Sequence, residues 1–351
     1  MNQQKYILPA EWEKQSGVQL TWPHADTDWK PYLTEITETF IQLAKAIATR
    51  ETLVIATPHP DETRELLETS LPASIMHNIA IFHCDTNDTW ARDHGAITLA
   101  DSQSHSGFHL LDFQFNGWGK KFAAEKDNAI TRTLHRQQVF NGKLTNHNDF
   151  VLEGGAIESD GKGTIMTTSF CLLAKNRNQP MTQDDIEKEL IKRLCAERII
   201  WINHGQLIGD DTDGHIDTIV RFAPDDTILY VGCDDEEDAQ HEDFALLERQ
   251  LRDLRTSDGK PYRLIKLPMP RPMFDGEDRL PATYANFLII NGAVIVPTYG
   301  QPNLDAQALS LIGKAFPARE IIGIDSSTII RQHGSIHCLT MQYPSGSLAK
   351  P

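Results

Sequence analysis

Phe287-Leu288-Ile289-Ile290-Asn291-Gly292-Ala293-Val294-Ile295-Val296 decides how this chain folds. Two apolar, β-prone runs flank an Asn-Gly pair. That pair accepts the positive φ angles of a two-residue turn, so the segment reads as a β-hairpin. Residues 304–316 follow with helical spacing of apolar side chains, and 321–324 read as a strand.

The order hairpin, helix, strand recurs outward from there. Residues 151–158 and 164–168 pair, 182–196 form a helix with Thr182 and Asp185 as its capping signal, and 198–202 form a strand. Residues 214–222 and 227–231 pair across Pro224-Asp225-Asp226, then 238–254 read as a helix and 262–267 as a strand. Strands at 96–99 and 109–113 precede a helix at 123–138. At the front, a helix at 34–50 leads to a buried strand at 52–56, a short helix at 61–68 and a strand at 79–83; a strand at 335–342 ends the pattern. The helices starting near 123, 182, 238 and 304 lie 59, 56 and 66 residues apart. A period of this size implies units that share a core with their neighbours. At about 70 residues each, 351 residues accommodate five units. The expected class is an α/β repeat architecture. No Ser/Gly linker or charge block divides it, so 1–351 reads as a single domain.

The chain is 40% hydrophobic, enough for a full core, and has no apolar run long enough to span a membrane. Lys5, Glu11, Glu13 and Lys14 interrupt the N-terminal stretch, so no signal-peptide core is expected. The five cysteines, at 84, 171, 195, 233 and 338, include no C-x-x-C pair. A disulfide framework or structural zinc is therefore not expected, and a reducing, cytoplasmic setting is. The balance of 33 basic and 49 acidic residues gives a formal charge of −16. That disfavours nucleic acid and anionic membranes as partners and suits a cationic small molecule; solubility alone explains it equally well.

Four stretches carry candidate chemistry. His333-Gly334-Ser335-Ile336-His337-Cys338-Leu339-Thr340 presents a thiol at a turn before a strand. Asn87-Asp88-Thr89-Trp90-Ala91-Arg92-Asp93-His94-Gly95 packs polar groups around a tryptophan. Leu152-Glu153-Gly154-Gly155 sets an acid before a glycine pair. In Asp211-Thr212-Asp213-Gly214-His215-Ile216-Asp217, a strand would turn His215 and Asp217 to one face, with Asp213 in support. Asp93 to Glu153 is 60 positions, Glu153 to His215 is 62 and His215 to Cys338 is 123: one, one and two repeat lengths. A repeat ringing an axis would gather Asp93, Glu153, His215, Asp217 and Cys338 at one mouth. The skipped position falls at Asp275-Gly276-Glu277. His337 would face away from Cys338 and reads as structural, and Cys84, Cys171, Cys195 and Cys233 read as packing. Competing readings stay open: Asp93 as an ion-pair partner of Arg92, Glu153 as a solvated turn acid, and a zinc set of His215, His333, His337 and Cys338.

Together these motifs resemble the agmatine deiminase family of the guanidine-modifying (pentein) superfamily. Trp22-Pro23 with Trp29, and Phe115-Asn116-Gly117-Trp118-Gly119, complete the resemblance. It implies a five-bladed α/β propeller with pseudo-fivefold symmetry and a central active site. It implies Cys338 as nucleophile, His215 as general acid and base, Asp93 and Asp217 as guanidinium ligands, and Glu153 orienting His215. Trp90, Asp211 and Trp22 join Asp93 and Asp217 as substrate contacts. Neither cofactor nor metal is implied. The reaction implied is hydrolysis of agmatine to N-carbamoylputrescine and ammonia, in polyamine metabolism, through a thiouronium on cysteine. The chain departs from the family at Ala96, where many members have proline, and at His333-Gly334-Ser335, where several glycines are usual. The second departure bears on the pocket for the substrate's amine, for which Trp90 or an acid among Asp275, Glu277 and Asp278 is expected. Runners-up are a peptidylarginine deiminase, another guanidine hydrolase, an amidinotransferase and a non-catalytic amine-binding protein. Homo-oligomerisation is left open.

Overall fold

The computed structural model describes residues 6–102 and 107–349. Among them, five sheets share one pairing rule: a first strand antiparallel to a second, and the second parallel to a third. A parallel pair needs a long crossover, and each unit supplies a helix there.

In chain order the units begin with Gln15–Thr21, crossing through helix Leu33–Ala48 to Thr52–Thr57 and extended by Ile79–His83. The antiparallel strand of this unit is the last of the chain, Thr340–Pro344, with Thr340 opposite Leu20. The next unit is Ile97–Asp101, Phe108–Gln114 and Lys143–Val151, with helix Ile130–Arg136. Then come Ile157–Ser159, Thr164–Thr168 and Arg198–Ile202 with helix Gln183–Leu194. Val220–Ala223, Thr227–Gly232 and Arg263–Pro268 carry helix His241–Asp253. Leu288–Ile290, Ala293–Thr298 and Glu320–Asp325 carry helix Pro302–Ala315. The hairpin at Asn291-Gly292 forms as read, with Gly292 at φ 75° and Ile290 opposite Ala293.

Each crossover helix turns one apolar stripe inward. Helix Leu33–Ala48 buries Ile36, Phe40, Leu43, Ala44 and Ile47 against Leu53 and Ile55 of the neighbouring strand. Thr182 and Asp185 form the expected reciprocal cap of helix Gln183–Leu194. Among the described residues, no helix is long and apolar enough to cross a membrane.

Boundaries differ most just before each unit's first strand. Residues 214–219 and 335–339, read as strand, do not pair; the strands begin at Val220 and Thr340. These segments coil instead, as do Ala91–His94 and Gly154–Ala156. Local bonds satisfy the coiled backbone, including Thr218 N–H to His215 O (3.3 Å) and Thr340 N–H to His337 O (3.0 Å). Helix 123–138 shortens to Ile130–Arg136, preceded by a 3-10 turn at Asp127–Ala129 whose Asp127 side chain accepts from the backbone N–H of Asn87 at 2.6 Å. Strand Gln15–Thr21 escaped the sequence reading: its Gln19 is buried, accepting from the Tyr343 hydroxyl at 2.7 Å, which hides the apolar pattern of Val18 and Leu20.

Candidate active site

The segments before the five first strands bring polar side chains to a common centre. They contribute Asp93, Glu153, His215 with Asp217, Asn286 and Cys338. Asn286 holds the repeat position that the sequence reading assigned to Asp275-Gly276-Glu277. Those residues lie instead in the small hairpin Met273–Asp275 and Asp278–Leu280, where Asp275 accepts from the Tyr32 hydroxyl at 3.2 Å.

Asn286 pins the cysteine turn. Its Oδ1 accepts from the backbone N–H of His337 (2.9 Å) and of Cys338 (3.3 Å), and lies 3.4 Å from Cys338 Sγ. On another side of that sulfur, Asp217 Oδ2 lies at 3.8 Å. Asp93 is fixed from two directions: Gly155 N–H donates to Oδ1 (3.0 Å) and Trp118 Nε1–H to Oδ2 (2.9 Å). His215 is fully buried, its Nδ1 3.6 Å from Asp93 Oδ1. Gly155 permits this convergence. A Cβ there would stand 2.6 Å from His215 Nδ1, 2.9 Å from Asp93 Oδ1 and 3.1 Å from Asp217 Oδ2.

Burial and mutual charge set the protonation states. Burial raises Asp93 to about 6; the charge of His215 opposes this, and repulsion from Asp217 and Glu153 adds to it. Burial opposes the charged form of His215, yet the charges of Asp93, Cys171 and Glu153 outweigh it and hold the imidazole well above its usual value. Burial, then Asp217 and Asp93, push the Cys338 thiol well above its usual value. Asp217 runs the other way: burial raises it, but the hydrogen bond and charge of His337 with the charges of His215 and Arg221 bring it below the usual carboxylate value.

A cavity of about 250 Å³ opens onto Cys338 and Asp93. Its walls include Trp90, Trp118 and three further acids, Asp28, Asp88 and Asp211. Burial raises Asp88 and Asp211 to about 6 each. Trp22 is not among the lining residues; it packs edge-on against Phe40 in the core, ring centroids 5.5 Å apart. Asp275, Glu277 and Asp278 do not line the cavity either.

Glu153 does not hydrogen-bond His215. Its Oε1 accepts from Arg177 Nε–H at 2.8 Å, while its Oε2 and both His215 ring nitrogens have no hydrogen-bond partner. Arg177 also donates to Asp213 Oδ2 and to Thr212 O, at 2.8 Å each, so one buried guanidinium ties Glu153 to the loop before His215. Cys171, read as packing, stands in this group: Glu153, Cys171 and His215 have donor atoms within 4.8 Å of one another, as do Glu11, Glu158 and His337. A guanidinium lies against each triple, Arg177 on the first and Arg221 on the second, and repels a cation there. The zinc set considered above, His215, His333, His337 and Cys338, does not come together as such a group among the described residues. His337 also departs from the expectation. Off the strand, alternation no longer applies, and its Nδ1 reaches Asp217 Oδ2 at 2.7 Å.

Trp118, Asn286 and Arg177 were not singled out from sequence. Trp118 had a signal, the Phe115-Asn116-Gly117-Trp118-Gly119 motif, to which no role was given; in the structure Gly117, Trp118 and Gly119 all have positive φ, and a tryptophan at φ 54° marks a backbone held in place by its surroundings. Asn286 and Arg177 had none.

A family model described as Porphyromonas-type peptidyl-arginine deiminase matches residues 7–344. An agmatine deiminase of Stutzerimonas stutzeri is 30% identical over 366 residues, spanning 98% of this chain and 96% of its own. A solved structure from Porphyromonas gingivalis is 48% identical with TM-score 0.92, covering 98% of this chain and 100% of its own. A cysteine-to-serine variant of C. jejuni agmatine deiminase with substrate bound is 35% identical with TM-score 0.85, covering 97% of each chain.

Proposed function

The chain belongs to the Porphyromonas-type peptidyl-arginine deiminase family, and on that premise we propose that it hydrolyses agmatine to N-carbamoylputrescine and ammonia. The carrying observation is one thiol, Cys338, sharing a cavity with Asp93 and lying 3.8 Å from Asp217. We read the five units as blades of a five-bladed α/β propeller whose blade ends face this centre.

A guanidinium is flat, cationic and resonance-stabilised, so its carbon resists attack. Asp93 and Asp217 pair with its N–H groups and hold the carbon before the sulfur. The same carboxylates keep the thiol protonated in the empty site; a bound cation neutralises them and favours the thiolate. Sulfur then bonds to carbon as the C=N pair moves onto nitrogen. His215, held protonated, gives its proton to the departing nitrogen and takes the thiol proton in its place; that proton leaves with the ammonia as ammonium, so His215 is left neutral. Water, deprotonated by His215, attacks the S-alkylthiouronium. The C–S bond breaks, releasing the ureido product and the thiol, which carries the water's second proton.

The cavity walls hold Asp28, Asp88 and Asp211 against one arginine, Arg331; the excess of acids suits an ammonium better than a carboxylate and favours agmatine over arginine. Ammonia release from agmatine, arginine and a peptidyl arginine, by wild type and Cys338→Ala, tests the proposal. Turnover of agmatine lost in Cys338→Ala is expected; turnover that survives overturns the mechanism, and a preference for the peptide overturns the substrate.

A further inference from the structure

His337 lies between two carboxylates. Its Nδ1 is 2.7 Å from Asp217 Oδ2; its Nε2 is 2.8 and 3.0 Å from the two oxygens of Glu11. Glu11 comes from the opposite end of the sequence. It is held there by Arg92 Nη1 (3.1 Å), Arg221 Nη2 (2.6 Å) and Gln342 Nε2 (3.0 Å). Arg221 is fully buried, paired with Glu158 as well, and donates to the carbonyls of Ala285 (3.1 Å) and Phe287 (2.6 Å), which bracket Asn286. Glu11, Arg92 and Gln342 line a second cavity, of about 80 Å³, that shares no lining residue with the one at Cys338. The chain Glu11–His337–Asp217 thus runs from the second cavity through the core to within 3.8 Å of the Cys338 sulfur.

We infer that Glu11 and His337 are positioning residues for the hydrolysis, acting through Asp217. This rests on the guanidine-hydrolase reading above. Asp217 has two oxygens and one task. His337 occupies Oδ2, and Oδ1 has no hydrogen-bond partner, which leaves it for a guanidinium N–H. A carboxylate this deeply buried needs a partner to stay ionised and in one rotamer. On the far side of the ring Nε2 faces both Arg221 Nη2, at 3.1 Å, and Glu11, which itself pairs with Arg221, so the imidazole cannot swing away. The charged groups facing the pair are Arg92, Arg221 and Glu158 on the Glu11 side, and His215 and Asp93 on the substrate side.

A residue that merely fills space would change stability without changing the titration of catalysis. The test is kcat/KM for agmatine against pH in His337→Phe, His337→Asn, Glu11→Gln and the double variant of the last two. Asparagine keeps a donor near Asp217 but cannot reach Glu11; phenylalanine keeps neither. His337→Phe is expected to lose about 100-fold in kcat/KM at pH 7, by loss of a hydrogen bond to the charged carboxylate; buried Asp217, without that donor, then rises to titrate alongside Asp93, so the acid limb steepens and moves to higher pH. His337→Asn is expected to recover about tenfold of that loss. Glu11→Gln is expected to move the limb in the wild-type background and not in His337→Asn, a non-additivity that reports coupling. Circular dichroism and melting confirm that each variant is folded. If Glu11→Gln leaves too little folded protein, His337→Asn against His337→Phe still decides. Unmoved acid limbs in folded variants, with Cys338→Ala inactive, overturn the relay alone. Turnover that survives Cys338→Ala overturns the nucleophile's reading and the relay with it.

Discussion

Gly155→Ala adds one methyl group where three reactive side chains meet. Its Cβ would stand 2.6 Å from His215 Nδ1, whereas ordinary contact begins near 3.4 Å. The difference, 3.4 − 2.6 = 0.8 Å, must be absorbed by His215, by the turn bearing Gly155, or by both. Gly155 lies at no positive φ, so alanine is not strained by its backbone, and crowding alone acts. A displacement approaching 1 Å in a reacting geometry costs about 100-fold in rate, or about 2.7 kcal/mol of transition-state stabilisation. Overpacking costs folding about 1–3 kcal/mol. The neighbouring Gly154 provides the contrast. Its Cβ would meet the backbone carbonyl of Arg92 at 2.2 Å, and backbone yields far less than a side chain, so Gly154→Ala should chiefly destabilise. The assay is kcat/KM for agmatine beside thermal melting of both variants. Gly155→Ala with activity within threefold of wild type would show that His215, Asp93 and Asp217 do not converge on this point.

The other predictions follow from single contacts. Asp93 titrates near 6 and binds a guanidinium only when ionised, so kcat/KM should fall as pH drops through about 6. A limb lying near 4 instead would remove Asp93 from that role. Trp118→Phe removes a donor that holds Asp93 down, so the limb should move to higher pH with about tenfold lower activity at neutral pH; an unmoved limb in a folded variant counts against that donor. Arg177→Met strands buried Glu153 and should cost about 3–5 kcal/mol in denaturant unfolding; a loss under 1 kcal/mol refutes its anchoring role. Neutralising Asp275, Glu277 and Asp278 together should leave KM for agmatine within threefold, because none lines the cavity; a tenfold rise would restore them as contacts for the amine.

The architecture was legible because each unit announces itself locally. Asn291-Gly292 fixes a turn, and Thr182 with Asp185 starts a helix, whatever the rest of the chain does. Asp93, Glu153, His215, Asp217 and Cys338 were found because an even spacing carried them to equivalent places. What failed had two causes. The alternation rule was applied to residues that coil before the strand, which gave His337 the wrong direction. The even spacing put the fifth position at the conspicuous acids Asp275-Gly276-Glu277, while the structure fills it with Asn286, a neutral residue beside an apolar run. Arg177 and Glu11 act through contacts 24 and 326 residues distant in sequence, and nothing local marks them.

Thr340–Pro344 pairs with Gln15–Thr21, a match across more than three hundred residues, and Cys338 lies two residues ahead of it. The sulfur is therefore seated by a strand that is synthesised after every other strand among the described residues. While translation is under way the first unit lacks its outer partner and the thiol has no fixed position, so a nascent chain can bind no guanidine productively. Appearance of turnover in a timed synthesis would then mark completion of the whole ring of contacts, lagging behind secondary structure that forms unit by unit.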